Sequence, residues 1–379
     1  MVVNRSLGCA LIVAVSSGCA SDSDRKNDGD GGIGGPMAGG ESNTSDDSSE
    51  APSQEQGPNL DVGSGNPGGP GGGGDGGDDD DCEVPEHVPC DGSGDVANAL
   101  GLNCPGELQF TVTQGPAAEG WDTVSSFGTT DAFNPREGTE YVAIGSGQIV
   151  EMTQPSGCIG FDLPGNEVGQ MLPAPIVLTD VNAASCSDDP SLIGTGDCSN
   201  TLQEEFSQTT AGAFDYTEVR IEATVPAGST SFSFDFAYFS WEYPSFWESE
   251  YNDIFIGWLE SEAWTGNISF DANGAAISVN AGFMNYLDAD TPNVDGMGAG
   301  HPDCPTGTNC SAPELHQTCM QNHGGTAWLT TEAEVIPGED MILVLAVMDL
   351  GDPNLDSFAF LDNFEWGCTE GPPRTVPIG

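Results

Sequence analysis

Apolar and polar residues alternate with a period of two in several parts of this chain. Phe232, Phe234, Phe236 and Tyr238 form one such row, with smaller or polar residues between them. Because successive side chains of a β-strand point to opposite faces, this row predicts a strand with one aromatic face in the core. Other strand patterns lie at 108–112, 219–225, 254–259, 276–279, 327–329 and 341–348.

The strand patterns are short and are joined by turn residues. Segment 341–348 is apolar at every position, which predicts a central strand covered on both faces. The Pro-Ala-Gly-Ser-Thr sequence after Val225 predicts a turn between two strands. The one segment with helical periodicity is 95–100. We therefore predict an all-β fold, either a β-sandwich or a jelly roll.

The first 19 residues have the pattern of an export signal. Arg5 precedes an apolar stretch, 7–15, that is too short to span a membrane, and small residues lead to Cys19. This resembles a lipobox, although Ser16 stands where leucine is usual. We predict removal of residues 1–18 and acylation of Cys19; plain secretion is the alternative. Ala20, with no Asp after the cysteine, resembles the bacterial pattern for the outer membrane.

Residues 19–81 contain the acylated cysteine and then mostly Gly, Asp, Ser, Pro and Asn. They offer too little apolar surface to offset the entropy of ordering, so we predict a disordered linker. We expect residues 82–174 to form a cysteine-containing β region packed on the main domain, and residues 175–379 to form that domain, a β-sandwich.

The charge balance limits the partners. The chain has 60 acidic and 6 basic residues and a formal charge of -54. After residue 81 the only basic side chains besides histidine are Arg136, Arg220 and Arg374. This excludes nucleic acid, because no cationic surface is present to neutralise phosphates. Anionic membranes would also repel the body, so membrane attachment requires the N-terminal lipid.

Ten cysteines remain after the signal and the predicted acylated residue are set aside. An even number in an exported chain predicts up to five disulfides. Spacing favours Cys186 with Cys198, and two residues among Cys304, Cys310 and Cys319. The ten are Cys82, Cys90, Cys104, Cys158, Cys186, Cys198, Cys304, Cys310, Cys319 and Cys368.

Three sequence motifs lie where strands meet acidic loops. The first breaks an aromatic strand at a Tyr-Pro pair, the second starts a new strand, and the third follows the apolar segment 341–348. Their residues are Ser240, Glu242, Tyr243 and Pro244; Tyr251, Asn252, Asp253 and Phe255; and Asp349, Gly351, Asp352, Asp356, Ser357 and Leu361. Together they resemble the choice-of-anchor L family of exported bacterial surface domains over residues 175–368. Trp241 and Ile256 depart from the family pattern.

The acidic residues of these motifs predict a calcium site. Ca²⁺ takes six to eight oxygen ligands, and carboxylates from two loops would supply them. The alternative is that the carboxylates cap turns by accepting backbone N–H bonds. The candidate ligands are Glu242, Asn252, Asp253, Asp349, Asp352 and Asp356.

Aromatic residues of the same loop are candidates for contact with a ligand. Flat rings stack on sugars, and neighbouring acids bond the hydroxyls, so Trp241, Tyr243, Trp247 and Tyr251 indicate a glycan or surface-protein ligand. The alternative is that these rings close the end of the core.

Two kinds of chemistry have weaker support. His301, Cys304, Cys310, His316, Cys319 and His323 match no familiar zinc spacing. Glu242 with Glu248 or Asp253 would be a glycosidase pair, but no nucleophile elbow or His-activated nucleophile is present. We therefore expect a non-catalytic, lipid-anchored surface domain that is adhesive or binds glycan or protein. A secreted glycan-cleaving enzyme and a purely structural envelope component are the alternatives.

Overall fold

The computed structural model describes residues 82–153, 167–178, 184–196, 198–247, 249, 251–288 and 311–378. The predicted signal, the acylated Cys19 and the linker lie outside these residues, as do Glu248, His301 and the cysteines Cys158, Cys304 and Cys310. Among the described residues, none of the helices has the length and apolar character that a membrane crossing requires.

Most of the regular secondary structure of the described residues consists of β-strands. In chain order these are β1 Thr111–Gly115, β2 Trp121–Val124, β3 Tyr141–Gly145, β4 Ala213–Thr224, β5 Ser231–Ser240, β6 Ile254–Glu260, β7 Thr265–Asn267, β8 Ile277–Ser278, β9 Tyr286–Leu287, β10 Gly324–Gly325, β11 Leu329–Glu334, β12 Asp340–Leu350, β13 Ser357–Gly367 and β14 Arg374–Pro377. Three short α-helices are α1 Val96–Ala99, α2 Ile149–Met152 and α3 Gln203–Ser207, and two 3₁₀ turns are Ala118–Gly120 and Pro190–Leu192.

The strands form two antiparallel sheets that pack face to face, which confirms the predicted all-β sandwich. The first sheet has the order β1-β4-β12-β6-β7, with β8 also paired to β6. The second has the order β14-β11-β5-β13-β3-β2, with β10 joining β5 to β9. The turn after Val225 links β4 of the first sheet to β5 of the second, so it is a crossing between sheets.

Apolar residues cover both faces of both sheets. The largest buried cluster lies between them and includes Phe232, Phe234, Phe236 and Tyr238 of β5. A second cluster covers the outer face of the β5–β13–β3 sheet, and a third covers the outer face of the β4–β12–β6 sheet. The central strand β12 contributes alternate residues to the inner and outer clusters, which explains why its sequence is apolar at every position.

The N-terminal region supplies strands to both sheets. β1 pairs with β4, and β3 lies between β13 and β2. The helix α1 begins after Asp95, whose side chain accepts a bond from the Asn98 N–H, so the helical pattern at 95–100 is confirmed. The strand expected from residue 108 begins at Thr111 instead, and Leu108 is half exposed.

Three disulfides join pairs of described residues. Cys186 is bonded to Cys198, the pair that spacing favours. Cys90 is bonded to Cys104, and Cys82 to Cys368, which joins the start of the described chain to its end. Cys319 is also in a disulfide, and its partner lies outside the described residues.

Candidate functional site

The inward-facing rows of the sandwich change from apolar to acidic at one end. On β12 the inner face carries Leu343, Leu345 and Val347, and the next residue of that row is Asp349. On β6 the inner row of Phe255 and Leu259 begins one step earlier with Asp253. Because these carboxylates continue the buried rows, they lie between the sheets.

The second sheet contributes two further carboxylates at the same end. The inner row of β5 continues past Tyr238 to Ser240 and then Glu242, just beyond the strand. Asp356 directly precedes β13. The exposed fractions are 2% for Glu242, 1% for Asp253, 0% for Asp349 and 1% for Asp356. We refer to these four residues as the carboxylate layer.

Hydroxyl and backbone groups hold part of this layer in place. Asp253 accepts a hydrogen bond from the Ser357 hydroxyl at 2.7 Å through Oδ2, and its N–H donates to Glu242 Oε2 at 3.1 Å. The Tyr238 hydroxyl donates to the Asp253 carbonyl at 2.7 Å. Both stems of the loop between β5 and β6 therefore end in the carboxylate layer.

Several oxygens of the layer have no donor. Asp253 Oδ1 and both carboxylate oxygens of Asp349 are buried without a hydrogen-bond partner among the described residues. The Ser146 hydroxyl lies near Asp349, but it donates to the Ser357 carbonyl and accepts from the Ser357 N–H. Buried polar groups in native proteins are nearly always satisfied, so these oxygens mark an incomplete network.

The electrostatics of the layer favour neutral or cation-bound carboxylates. Burial raises the pKa of Asp349 well above its ordinary value, and the charges of Asp253 and Asp356 raise it further. Burial and the Glu242 charge do the same to the pKa of Asp253. The pKa of Glu242 is raised by burial and by Asp349 and Asp352. Four buried carboxylates cannot all ionise here unless a cation compensates them.

The two remaining predicted metal ligands differ from each other. Asn252 is buried and its Oδ1 has no hydrogen-bond partner among the described residues, so it remains a candidate ligand. Asp352 is half-buried, and its Oδ1 accepts from the Asn354 backbone N–H at 3.0 Å and side-chain amide at 2.7 Å. This carboxylate caps a turn, as the alternative interpretation of the loop expects.

Two polar residues beside the carboxylate layer were not identified from the sequence. Asp215 of β4 is buried at a positive φ of 47°, and its charge acts on Asp349. Ser146 follows β3 at the end of the inner row of Val142 and Ile144. Extending the β3 row by two residues would have identified Ser146, because the alternation of a strand continues past its last apolar residue. Asp215 lies four residues before Val219, at the position where the register between β4 and β12 shifts, so alternation alone does not reach it.

The aromatic candidates for ligand contact occupy different environments. Tyr243 is fully buried in the inter-sheet core, as the alternative interpretation of these rings expects. It reaches the core because Gly324 lies against it; a Cβ there would approach Tyr243 Cγ to 2.8 Å. Trp241 stacks on His323 with ring centroids 5.0 Å apart. Trp247 is partly buried against the core, and Tyr251 contacts Phe246 edge to face.

The candidate zinc ligands that the structure describes have other partners. Cys319 is oxidised, and Nδ1 of His323 lies 3.1 Å from the carbonyl oxygens of Trp241 and Tyr243. One further group, His87 with Cys104 and Glu107, has ligand atoms close together. Its sulfur is bonded to Cys90, so it offers no thiolate.

A family model for the choice-of-anchor L domain matches residues 172–365. The chain belongs to the choice-of-anchor L family. This membership indicates an exported, cell-surface protein, and the disulfides fit an oxidising location outside the cytoplasm. No curated protein and no solved structure matches the chain. Strands β1 to β3 precede the matched range, so this sandwich includes strands from outside the family domain.

Proposed function

We propose that this choice-of-anchor L protein is a non-catalytic surface domain whose sandwich is completed by a calcium ion in the carboxylate layer. The observation that carries the proposal is the set of buried carboxylate oxygens without donors on Asp253 and Asp349. A divalent cation would compensate both their charge and their missing hydrogen bonds.

The donor set favours calcium over softer metals. Carboxylates and the Asn252 side-chain carbonyl are hard oxygen ligands, which suit Ca²⁺, and Ca²⁺ accepts irregular geometry with six to eight oxygens. Asp253 and Asp349 from the first sheet, with Glu242 and Asp356 from the second, would hold the ion. Its role would be to join the two sheets at this end.

The burial of the layer supports a structural role. A glycosidase needs two carboxylates that face a substrate across a cleft. Glu242 and Asp253 are 2% and 1% exposed, which leaves no room for a sugar between them. We therefore prefer the non-catalytic function to the glycan-cleaving alternative. Release of reducing sugar that is lost in Glu242→Gln would reverse this preference.

The outer surface would provide the contacts of the domain. Trp241, Trp247 and Tyr251 remain candidate contacts for a glycan or another surface protein, and acylation at Cys19 would anchor the chain to the outer membrane. A glycan array probed in calcium and in EDTA tests the first point, and mass spectrometry of the native N-terminus tests the second.

Native mass spectrometry of desalted protein titrated with CaCl₂ tests the ion site directly. We expect a bound Ca²⁺ that EDTA removes and that Asp253→Asn weakens strongly. Glu260→Gln removes an exposed carboxylate outside the site and serves as the matched control. If calcium binds both variants as it binds the parent protein, or binds none of them, the carboxylate layer is not the site.

A further inference from the structure

Two cavities lie at the end of the sandwich opposite the carboxylate layer. The first, of about 340 Å³, lies between the segment around His87 and the end of β13. The second, of about 780 Å³, lies over the end of β4 and the start of β12. Leu108 and Phe110 line both cavities and form the ridge between them. We call this surface the Leu108 groove.

The floor of the groove is apolar. Leu102, Phe364 and Trp366 line the first cavity. The ring centroids of Phe110 and Trp366 are 5.7 Å apart. Met341 and Ile342 line the second cavity. Leu108 on the ridge is 51% exposed. Covering this surface would release water from apolar area, which favours binding.

The rim of the groove is acidic. Three carboxylates border each cavity: Glu86, Glu107 and Glu365 at the first, and Glu222, Glu260 and Asp340 at the second. His87 lies 2.8 Å from Glu107 and 2.7 Å from Glu137, so it compensates part of this charge. The other five rim carboxylates are exposed.

Among the residues that the structure describes, no arginine or lysine neutralises this rim. The three arginines after residue 81 are paired elsewhere: Arg136 with Asp235, Arg220 with Glu218 and Arg374 with Glu332. The same part of the sequence has no lysine. A ligand that complements the groove must therefore supply positive charge together with apolar groups.

We propose that the Leu108 groove binds a segment of a partner protein in which apolar and basic residues alternate. Apolar side chains would fill the cavities on either side of Leu108, and Lys or Arg side chains would meet the six carboxylates. Two cavities that share one wall favour a peptide segment, because a small cation would fill only one of them. The inference is independent of the calcium site, which lies at the other end of both sheets.

Fluorescence anisotropy with short labelled peptides tests this surface at about 0.15 M salt. The probe alternates lysine with leucine; one control alternates lysine with serine, and another alternates glutamate with leucine. We expect the lysine–leucine peptide to bind at least ~tenfold more tightly than either control. Measuring the calcium-saturated protein separates this outcome from that of the ion site.

Protein variants locate the binding. Leu108→Ser removes the ridge and is expected to weaken binding about tenfold, and the double variant Glu260→Gln with Glu365→Gln is expected to weaken it several-fold. Val150→Ser replaces an equally exposed side chain outside the groove, at 53% exposure, and should leave binding unchanged. Circular dichroism confirms that each variant is folded. Equal binding of the lysine–serine peptide, unchanged binding by Leu108→Ser, or competition by butylammonium alone would overturn the proposal.

Discussion

Two groups of buried carboxylates in this protein are completed in different ways. At mid-sheet, Asp235 accepts from the Arg136 guanidinium at 3.1 Å, from the Thr330 hydroxyl at 2.6 Å and from the Asn363 amide at 3.3 Å. Asp362 accepts backbone N–H bonds from Arg136 at 2.6 Å and from Asn363 at 2.7 Å. The chain itself therefore supplies the donors of this pair.

Asp349 of the carboxylate layer has no comparable supply of donors in the part of the chain that the structure describes. Asp349 has no donor in bonding geometry among the described residues, and the neighbouring charged groups that raise its pKa are all acids. Burial alone therefore does not predict which acids need an ion. The contrast teaches that the number of donors around a buried carboxylate separates a satisfied structural acid from a candidate cation ligand.

The largest effect on stability should come from substituting one acid of each group by asparagine. We expect saturating calcium, at about 1,000 times its Kd, to stabilise the parent protein by about 4 kcal/mol. Asp349→Asn should abolish this response, because it removes a ligand. Asp235→Asn should lower the starting stability by about 1–3 kcal/mol, because its donors lose an acceptor, yet keep the full calcium response. Thermal unfolding in CaCl₂ and in EDTA measures the starting stability and the calcium response of each variant. Loss of the calcium response in Asp235→Asn would contradict the distinction between the two groups of acids.

The pH dependence of stability should also separate the two groups. A carboxylate whose pKa is raised in the folded protein stabilises it below the unfolded pKa, near 4, and loses that contribution as pH rises through the folded pKa. Burial raises the pKa of Asp362 to about 7 and that of Glu205 to about 7. Glu242, Asp253 and Asp349, whose pKa values are raised well above normal, add to this in EDTA.

We therefore expect the free energy of unfolding in EDTA to fall between about pH 4 and about pH 7, by up to ~1.4 kcal/mol per pH unit for each such carboxylate, and the residues with still higher pKa values extend the fall to higher pH. Calcium should flatten the curve, because the layer is then ionised in the folded protein. The part of the pH dependence that is due to Asp362 and Glu205 should remain in calcium. Urea unfolding across this range gives the measurement, and identical slopes with and without calcium would argue against the ion.

Single hydroxyl groups provide a smaller test of the same comparison. Ser357→Ala removes the 2.7 Å bond to Asp253, and Thr330→Val removes the 2.6 Å bond to Asp235. Each should cost about 1–2 kcal/mol of stability in EDTA, because a buried carboxylic group loses a hydrogen-bond donor. Only Ser357→Ala should shift the calcium midpoint in a titration. Equal shifts in the two variants would mean that the two groups are coupled.

The smallest effect is expected at Asp352, on the edge of the layer. Asparagine retains the side-chain oxygen that caps the turn at Asn354, so Asp352→Asn should change stability by less than about 0.5 kcal/mol. Its charge acts on Glu242 from a half-buried position, and calcium affinity should fall by less than about threefold. Isothermal titration calorimetry measures this; complete loss of binding would place Asp352 among the ligands.

Much of the fold was predictable from local patterns. The rows on β5 and β12 identified strands because the period of two is a property of the backbone and needs no knowledge of neighbours. The motifs around Glu242, Asp253 and Asp349 identified the acidic loops because they lie at the ends of these strand patterns. The fate of Tyr243 was not predictable, because its burial depends on the close approach of Gly324, which lies 81 residues away in the sequence.

The sequence by itself determined an exported, acidic, all-β domain with carboxylates at the ends of its strands. The tertiary structure decided which of these acids are buried together, which of them receive donors, and that Asp215 belongs with them while Asp352 caps a turn. It also placed Leu108 between two acidic cavities. The physical reason is that alternation and composition are local, whereas burial, charge compensation and hydrogen-bond satisfaction depend on groups that only the packed sheets bring together.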